Sequence, residues 1–386
     1  MLTREEILSV YRQVLGRTPG EEEIAAQLGL ESLDALLRLI LDSEEYELRL
    51  RERTMRGSME ETFVNAFHPD LAAWGVPPGT RSADGAAIVG HEGWLFLAGG
   101  NYSNADQHRG AIEPPPGWLE RWQQLLDYRV ESARSLGIEL AMLLLPDKLA
   151  IYEQHFPERL EKVGPRPVER LLEGVDAPLL YPFEELVAAA AEDDVYLRTD
   201  THPTFRGAEV ATSAVLRELG VPVPDRFADV ELRTYPIAGD LGVRFDPRIV
   251  GLTWDAESLG GARIAEDNRE QIQAYGGHLG TRRVLVNEGA PDQRVAVVFG
   301  SSNSFVTAHH HGISWFLAQV FRELHFLWVP FGWDSEYLRR VGAEVAVMQS
   351  GDRLVQRVPR PDLDTAALAE DTLRHERPVD VERILQ

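Results

Sequence analysis

Residues 295–299, VAVVF, form an unbroken apolar run that stops at Gly300 and gives way to Ser301, Ser302, Asn303 and Ser304. A short apolar run without alternation reads as a strand buried on both faces. Strands of that kind belong to parallel sheets covered by helices on both sides, so this segment already limits the fold. Residues 138–145, IELAMLLL, have the same character and end at Pro146-Asp147-Lys148. Residues 344–348 supply a last strand, and residues 178–181 a short one. Helical periods lie between them: Trp118, Trp122, Leu125 and Leu126 after a proline run, then residues 168–172, 183–192 and 205–219. The pattern is α/β, a parallel sheet flanked by helices.

The rest of the chain divides around that core. Residues 1–55 read as a small all-helical module, with Ile7, Val10, Tyr11, Val14 and Leu15 at helical spacing and Leu33, Leu36, Leu37, Ile40 and Leu41 on one face. Residues 56–83 read as a linker and 84–386 as the main domain. Within it, residues 222–294 are rich in Gly and Pro and read as an irregular β-rich insertion. A helix is expected from about Ser304 to Phe326, and another short one at residues 353–358.

Charge and composition exclude several functions. Asp and Glu outnumber Lys and Arg 62 to 39, for a net charge of −23, which argues against nucleic acid or an anionic membrane as partner. There is no cysteine, so disulfides, thiolate metal sites and a Cys nucleophile are excluded. The start of the chain has no basic region followed by an apolar core, and no stretch suits a membrane span, so the default location is cytoplasmic.

Chemistry concentrates in two places. A strand ending in Gly, then Ser at the mouth of a helix, is how α/β hydrolases present a nucleophile. A serine hydroxyl needs a base, and the base an orienting carboxylate. Far upstream, Asp200-Thr201-His202 supplies both. In an extended segment i and i+2 point to the same side, and both motifs are expected at strand ends, along the sheet edge where ligands bind. The amides of Ser302 or Asn303 at the expected helix start could stabilise an oxyanion, aided by the helix dipole, and Gly300 would permit the tight turn.

At this point a resemblance becomes specific. RTDTHPTFRGAEVATSAV resembles the Asp-Thr-His-Trp-Thr…Gly-Ala block of the SGNH-like alginate and exopolysaccharide O-acetyltransferases, and VVFGSSNSF resembles their Gly-Asp/Thr-Ser block. Their order also matches, histidine block before serine block, the reverse of typical SGNH hydrolases. HEGWLFLAGGNYSN, LLLPDKLAIYEQHFP and AEVAVMQSGDRLVQRVP are similar to further blocks of that family, so the resemblance runs from Gly93 to Val358. It implies an SGNH-hydrolase-like fold over 84–386, with Asp200 orienting, His202 as base and Ser302 as nucleophile, Ser301 and Ser304 being the alternatives. It implies a carbohydrate O-acetyltransferase working through an acyl-serine, with no cofactor beyond an acetyl donor as co-substrate. Acetylesterase, or a non-catalytic carbohydrate-binding or assembly protein, are the other readings. Pro203 stands where the family has Trp, Ser301 where it has Asp or Thr, and the closing block lacks its Glu. Relatives mostly act outside the cytoplasm, which keeps a periplasmic or cell-surface location open.

YRQVLGRTP and LLRLILDSEEY resemble a helical module of unknown function in bacterial surface-glycan proteins, with Tyr11, Leu15, Gly16, Arg17, Pro19, Ser43 and Tyr46 as its core. It is either a helical hairpin packed on the main domain or a docking module for a polysaccharide-biosynthesis partner. Lys148 is a candidate for substrate binding or a surface salt bridge, and Asn101 and Tyr102 line the site or make a turn. Asp240 matches a Gly-Asp-Leu of the same family or serves a turn. Trp118 and Trp122 read as core rather than a sugar platform. Three consecutive histidines, His309, His310 and His311, point in different directions on a helix, so no metal site is expected.

Overall fold

The computed structural model describes residues 2–14, 18–30, 32–41, 43, 76–224, 227, 230–246, 248–306 and 312–386. A hairpin of β1 (Ala87–Val89) and β2 (Leu95–Leu97) opens the main domain, Ile88 opposite Phe96. The core strands are β3 (Glu139–Leu145) and β4 (Leu179–Leu180). An antiparallel ribbon of β5 (Leu232–Ile237) and β6 (Gly251–Ala256) stands apart. Then come β7 (Arg263–Asp267), β8 (Arg282–Val286), β9 (Asp292–Gly300), β10 (Phe321–Trp328) and β11 (Val345–Gly351). The main sheet has the order β4-β3-β11-β9-β10-β8-β7. Its first five strands are parallel, and β8 and β7 extend it antiparallel.

The apolar runs follow from this topology. Ala141, Leu143, Leu145, Ala296, Val298, Val345 and Val347 belong to the core on one face. Their neighbours Met142, Leu144, Val297, Phe299, Ala346 and Met348 belong to the core on the other. Helices Phe183–Ala190, Phe205–Glu218 and Ile313–Val320 cover the first face, and Trp118–Leu136, Pro167–Gly174 and Ser335–Val341 the second. Each fully buried Leu or Val contributes about 1.5–3 kcal/mol, and a central strand collects that on both sides. Trp118 and Trp122 are core residues whose indole N–H groups both donate to the Val355 carbonyl, at 2.8 and 2.9 Å.

Three expectations are corrected. The helix expected from Ser304 to Phe326 is a three-residue 3-10 turn, Ser302–Ser304, a helix at Ile313–Val320, and then β10. Residues 321–328 carry enough apolar side chains to be buried in either form, and hydrogen bonding to β9 decides for a strand. The residues 222–294 are not wholly an insertion, because β7 and β8 complete the main sheet. The expected helix at 353–358 is a 3-10 turn, Asp352–Leu354.

The N-terminal helices Arg4–Val14, Glu21–Gln27 and Leu33–Leu41 share an apolar cluster of Ile7, Val10, Tyr11, Val14, Ile24, Leu36, Leu37 and Ile40. Ala238 and Val250 of the main domain join that cluster. Leu15, Gly16, Arg17 and Tyr46 lie outside the described residues, as do His309, His310, His311 and most of the expected linker. No described helix is long and apolar enough to cross a membrane.

Candidate active site

Asp200 and His202 are brought together by a turn, not by a pleated strand. The turn is closed by a bridge between Tyr196 and Pro203 and by the Leu197 amide donating to the His202 carbonyl at 3.0 Å. One carboxylate oxygen of Asp200 accepts both from the His202 amide, at 2.9 Å, and from its Nδ1, at 2.5 Å. Asp side chains form this two-residue loop readily. The expected neighbourhood of i and i+2 therefore holds, but through side-chain-to-backbone bonding. Thr204 then caps the helix Phe205–Glu218 by accepting from the Gly207 amide at 3.2 Å.

The electrostatics suit a general base. Burial works against the His202 cation, but the charge and hydrogen bond of Asp200 more than offset it and raise His202 above its ordinary value. Burial likewise opposes the Asp200 anion, and His202 together with the His202 and Asp240 amides outweighs that and holds Asp200 well below the usual carboxylate range. An ionised Asp200 can only accept, so Nδ1 carries a proton and Nε2 is the nitrogen that can take one from a hydroxyl. Donor atoms of Asp200, His202 and Asp240 lie within 4.8 Å of one another. The oxygens of both carboxylates already accept N–H or O–H groups, as in a hydrogen-bonded relay rather than a ligand set.

Lys148 departs from both of its expected roles. It is buried, and its ammonium donates to the carbonyls of Leu197, Arg198 and Asp200 at 3.0, 3.2 and 2.7 Å. Its ammonium is turned onto backbone carbonyls and not onto a surface carboxylate, and it fastens the turn that carries Asp200 to the end of β3. Burial pushes it down to about 8, against the pull of Asp200 and Asp240.

The serines sit where β9 ends. A Cβ on Gly300 would lie 2.8 Å from the Ser304 Cβ and 3.1 Å from the Phe326 ring, so only glycine fits the turn. Gln349 of β11 aims its side-chain oxygen into this turn, where it accepts from the Ser301 amide and hydroxyl, both at 3.0 Å, and from the Ser304 hydroxyl at 2.9 Å. Ser301 and Ser304 are buried and committed; Ser302 is partly exposed. Asn303 is buried, and its amide donates to the Ser301 hydroxyl at 3.3 Å, which leaves the Ser302 amide as the candidate oxyanion donor. Among the described residues the next α-helix after this turn begins at Ile313, and not at the serines as expected.

Contacts along the sheet edge join the two motifs. Arg353, just past β11, pairs with Asp147 past β3 at 3.0 Å, and its charge acts on His202. Asp147 also accepts from Leu149 and Asn104, each at 3.1 Å. Gly351, at the end of β11, lies against the Asn303 side chain. The carboxyl ends of β3 and β11 thus bring Lys148, Asp147 and Arg353 to the Asp200–His202 turn, and Ser302 follows the end of β9 on the same edge of the sheet. Gln349 and Arg353 were not singled out from the sequence; the one available signal for Gln349 is a polar residue inside an apolar strand. Asn101 lies in the 3-10 turn Gly100–Tyr102, its side chain outside the described residues, and Tyr102 is half-exposed beside it.

Residues 87–323 match the family model of the SGNH hydrolase-like domain of acetyltransferase AlgX. A probable alginate O-acetylase AlgJ from Pseudomonas fluorescens is 28% identical over 170 residues. That match covers 40% of this chain and 40% of that protein, so the chain spans well under half of its relative's length. Among solved structures, Bacillus cereus PatB1 is similar at 14% identity and TM-score 0.46, over 66% of this chain and 93% of that one. The O-acetyltransferase domain of Pseudomonas putida AlgJ is similar at 16% identity and TM-score 0.45, over 76% and 100%.

Proposed function

Because the chain belongs to the family of SGNH hydrolase-like acetyltransferase domains, we propose that it is a carbohydrate O-acetyltransferase that carries the acetyl group on Ser302. The observation that supports Ser302 is that Gln349 ties down Ser301 and Ser304 and leaves Ser302 partly exposed at the carboxyl end of β9. In the first half-reaction His202 Nε2 takes the Ser302 hydroxyl proton as Oγ attacks the acetyl carbonyl carbon of the donor. The tetrahedral oxyanion collapses, the donor's leaving group departs with the proton from His202, and acetyl-Ser302 remains. In the second, His202 takes the proton of a sugar hydroxyl, whose oxygen attacks the acyl carbon. Ser302 leaves with that proton, and the sugar keeps the acetyl group. Asp200 stays ionised throughout and stabilises the imidazolium in both halves.

The Pseudomonas fluorescens relative is named for alginate. A net charge of −23 on this chain favours an uncharged sugar as acceptor over a polyanionic one. Water in place of the sugar would make the protein an acetylesterase.

The test is release of p-nitrophenol from p-nitrophenyl acetate by the wild-type protein and by Ser302→Ala, with and without an added oligosaccharide. Loss of release in the variant, and an acetylated sugar by mass spectrometry with the wild type, are expected. Equal release from both proteins overturns the nucleophile, and release without any acetylated sugar overturns the transferase in favour of the esterase.

A further inference from the structure

Behind the Asp200–His202 pair stands a second carboxylate that acyl transfer through a serine does not itself require. Asp240 belongs to the short helix Gly239–Gly242, remote in sequence from the turn it meets. One of its oxygens accepts from the Thr201 amide at 2.7 Å and the other from the Thr201 hydroxyl at 2.5 Å. Its own amide donates to Asp200 Oδ2 at 2.9 Å, the carboxylate oxygen that His202 does not use. Leu241 and Gly242 both donate to the Thr199 carbonyl, at 3.3 and 3.0 Å, and Thr199 donates back to the Ile237 carbonyl at 2.8 Å. Gly239 lets the two segments close: at φ +61° it has no room for a Cβ, which would lie 2.5 Å from the Asp200 Cβ.

Two features of this contact go beyond holding a loop. Thr201 is the residue between Asp200 and His202, so a clamp on its amide and hydroxyl fixes the backbone that sets the angle between carboxylate and imidazole. The contact also places two carboxylates side by side in a buried site, an arrangement that is costly unless compensated. Burial and the Asp200 charge push Asp240 up. A neutral amide at position 240 could satisfy Thr201 equally well, accepting from its amide and donating to its hydroxyl. A carboxylate adds negative charge behind the base.

We propose that Asp240 is a positioning residue for the Ser302–His202–Asp200 relay, holding Thr201 so that Asp200 and His202 keep their working angle and adding a second negative charge behind the imidazole. The proposal rests on the acyl-serine reading above. The charged groups that act on His202 are Asp200 and Asp240, which favour its cation, and Arg353, which opposes it. Lys148 donates to the Asp200 carbonyl, and its charge interacts with those of Asp200 and Asp240.

The experiment compares wild type, Asp240→Asn and Asp240→Ala in the full chain, by kcat and KM for p-nitrophenyl acetate against pH and by an NMR titration of His202. Asp240→Asn keeps both bonds to Thr201. It is expected to hold kcat within ~10-fold while shifting the acid limb, and the His202 titration, to lower pH. Asp240→Ala releases Thr201. It is expected to lose ~100-fold in kcat with KM little changed, since small misplacements of a catalytic group cost that much, and to lose the downfield Nδ1 proton signal of His202. Wild-type kcat and an unmoved titration in both variants overturn the proposal. So does a lowered melting temperature in Asp240→Ala with the folded protein keeping its kcat and pH profile. The His202 titration does not depend on turnover. Should Ser302→Ala prove as active as wild type, the nucleophile has failed, and the shift or constancy of that titration still decides for or against Asp240.

Discussion

Gln349 receives Ser301 twice, from its backbone amide and from its hydroxyl, both at 3.0 Å, on the same side-chain oxygen. Because an amide N–H can only donate, the atom facing it is the oxygen, which fixes the orientation of the glutamine. The Ser304 hydroxyl adds a third donor to that oxygen. One residue of a neighbouring strand therefore determines the shape of the serine turn and which serine remains available.

Gln349→Leu keeps the volume but removes the acceptor for three buried donors. An unsatisfied buried donor costs about 1–3 kcal/mol, and the two hydroxyls can rotate while the Ser301 amide cannot. The variant is expected to lose about 2–3 kcal/mol in denaturant unfolding, and most of its esterase rate, because the turn is no longer held. Unchanged stability would mean that the donors find other acceptors.

Ser301→Ala and Ser304→Ala each remove one donor and leave the Gln349 oxygen bonded to the others. Each is expected to keep its rate within about 10-fold and to lose about 1 kcal/mol, whereas Ser302→Ala is inactive. A dead Ser301→Ala or Ser304→Ala that folds normally would move the nucleophile to that position.

Activity and stability are expected to peak at different pH. Transfer needs neutral His202, whose value is raised above about 6.5, so kcat/KM falls on the acid side with an apparent pKa above that figure. For stability the signs differ. The raised His202 contributes fully below about 6.5 and fades as pH rises through its folded value, while the depressed Asp200 contributes above about 3.9 and fades as pH falls. The pair thus stabilises most between about 4 and 6.5, where the enzyme is least active. Melting temperatures of wild type and His202→Ala across pH 4–9 check this: the difference should shrink as pH rises. A constant difference would mean that His202 is not paired as described.

Lys148→Met tests whether the buried ammonium is structural. Removing a buried cation relieves its desolvation, which alone is favourable. Against that, three buried carbonyls lose their donor and Asp200 loses a nearby positive charge. Three orphaned acceptors at 1 kcal/mol or more outweigh the relief, and a loss of about 3 kcal/mol is expected together with activity. A more stable Lys148→Met would reverse the balance of those two terms.

How much of this was legible in sequence depended on burial. Residues 140–145 and 296–299 announced themselves because each side chain packs into a core on one face or the other. The same property hid β10: Phe321, Leu324, Phe326 and Leu327 are apolar enough for a buried helix, and only pairing with β9 distinguishes them. Asp200 and His202 were visible because the residues that meet are two apart. Asp240 meets the Asp200 turn, and Gln349 the serine turn, from elsewhere in the chain; the Gly-Asp-Leu resemblance marked Asp240, but no local pattern encodes either contact. For Lys148 the charge was plain, but its direction was not, since that depends on three carbonyls gathered by the fold.

Gly239 and Gly137 separate the turn's geometry from ordinary glycine effects. Both have positive φ, +61° and +69°. Around Gly137, at the end of the helix Trp118–Leu136, nothing lies within 4 Å of a would-be Cβ, so Gly137→Ala meets only the left-handed penalty of about 1–2 kcal/mol and should keep its rate. At Gly239 the same methyl would lie 2.5 Å from the Asp200 Cβ and the Thr199 carbonyl and 2.7 Å from Asp200 Oδ2. Relief has to come from the turn that carries the carboxylate, so Gly239→Ala should lose more stability than Gly137→Ala and at least ~10-fold in kcat, as expected of a displaced catalytic group. Melting curves and p-nitrophenyl acetate rates for the two variants side by side decide it. Equal rates would show that the Asp200 turn tolerates displacement from the Gly239 side.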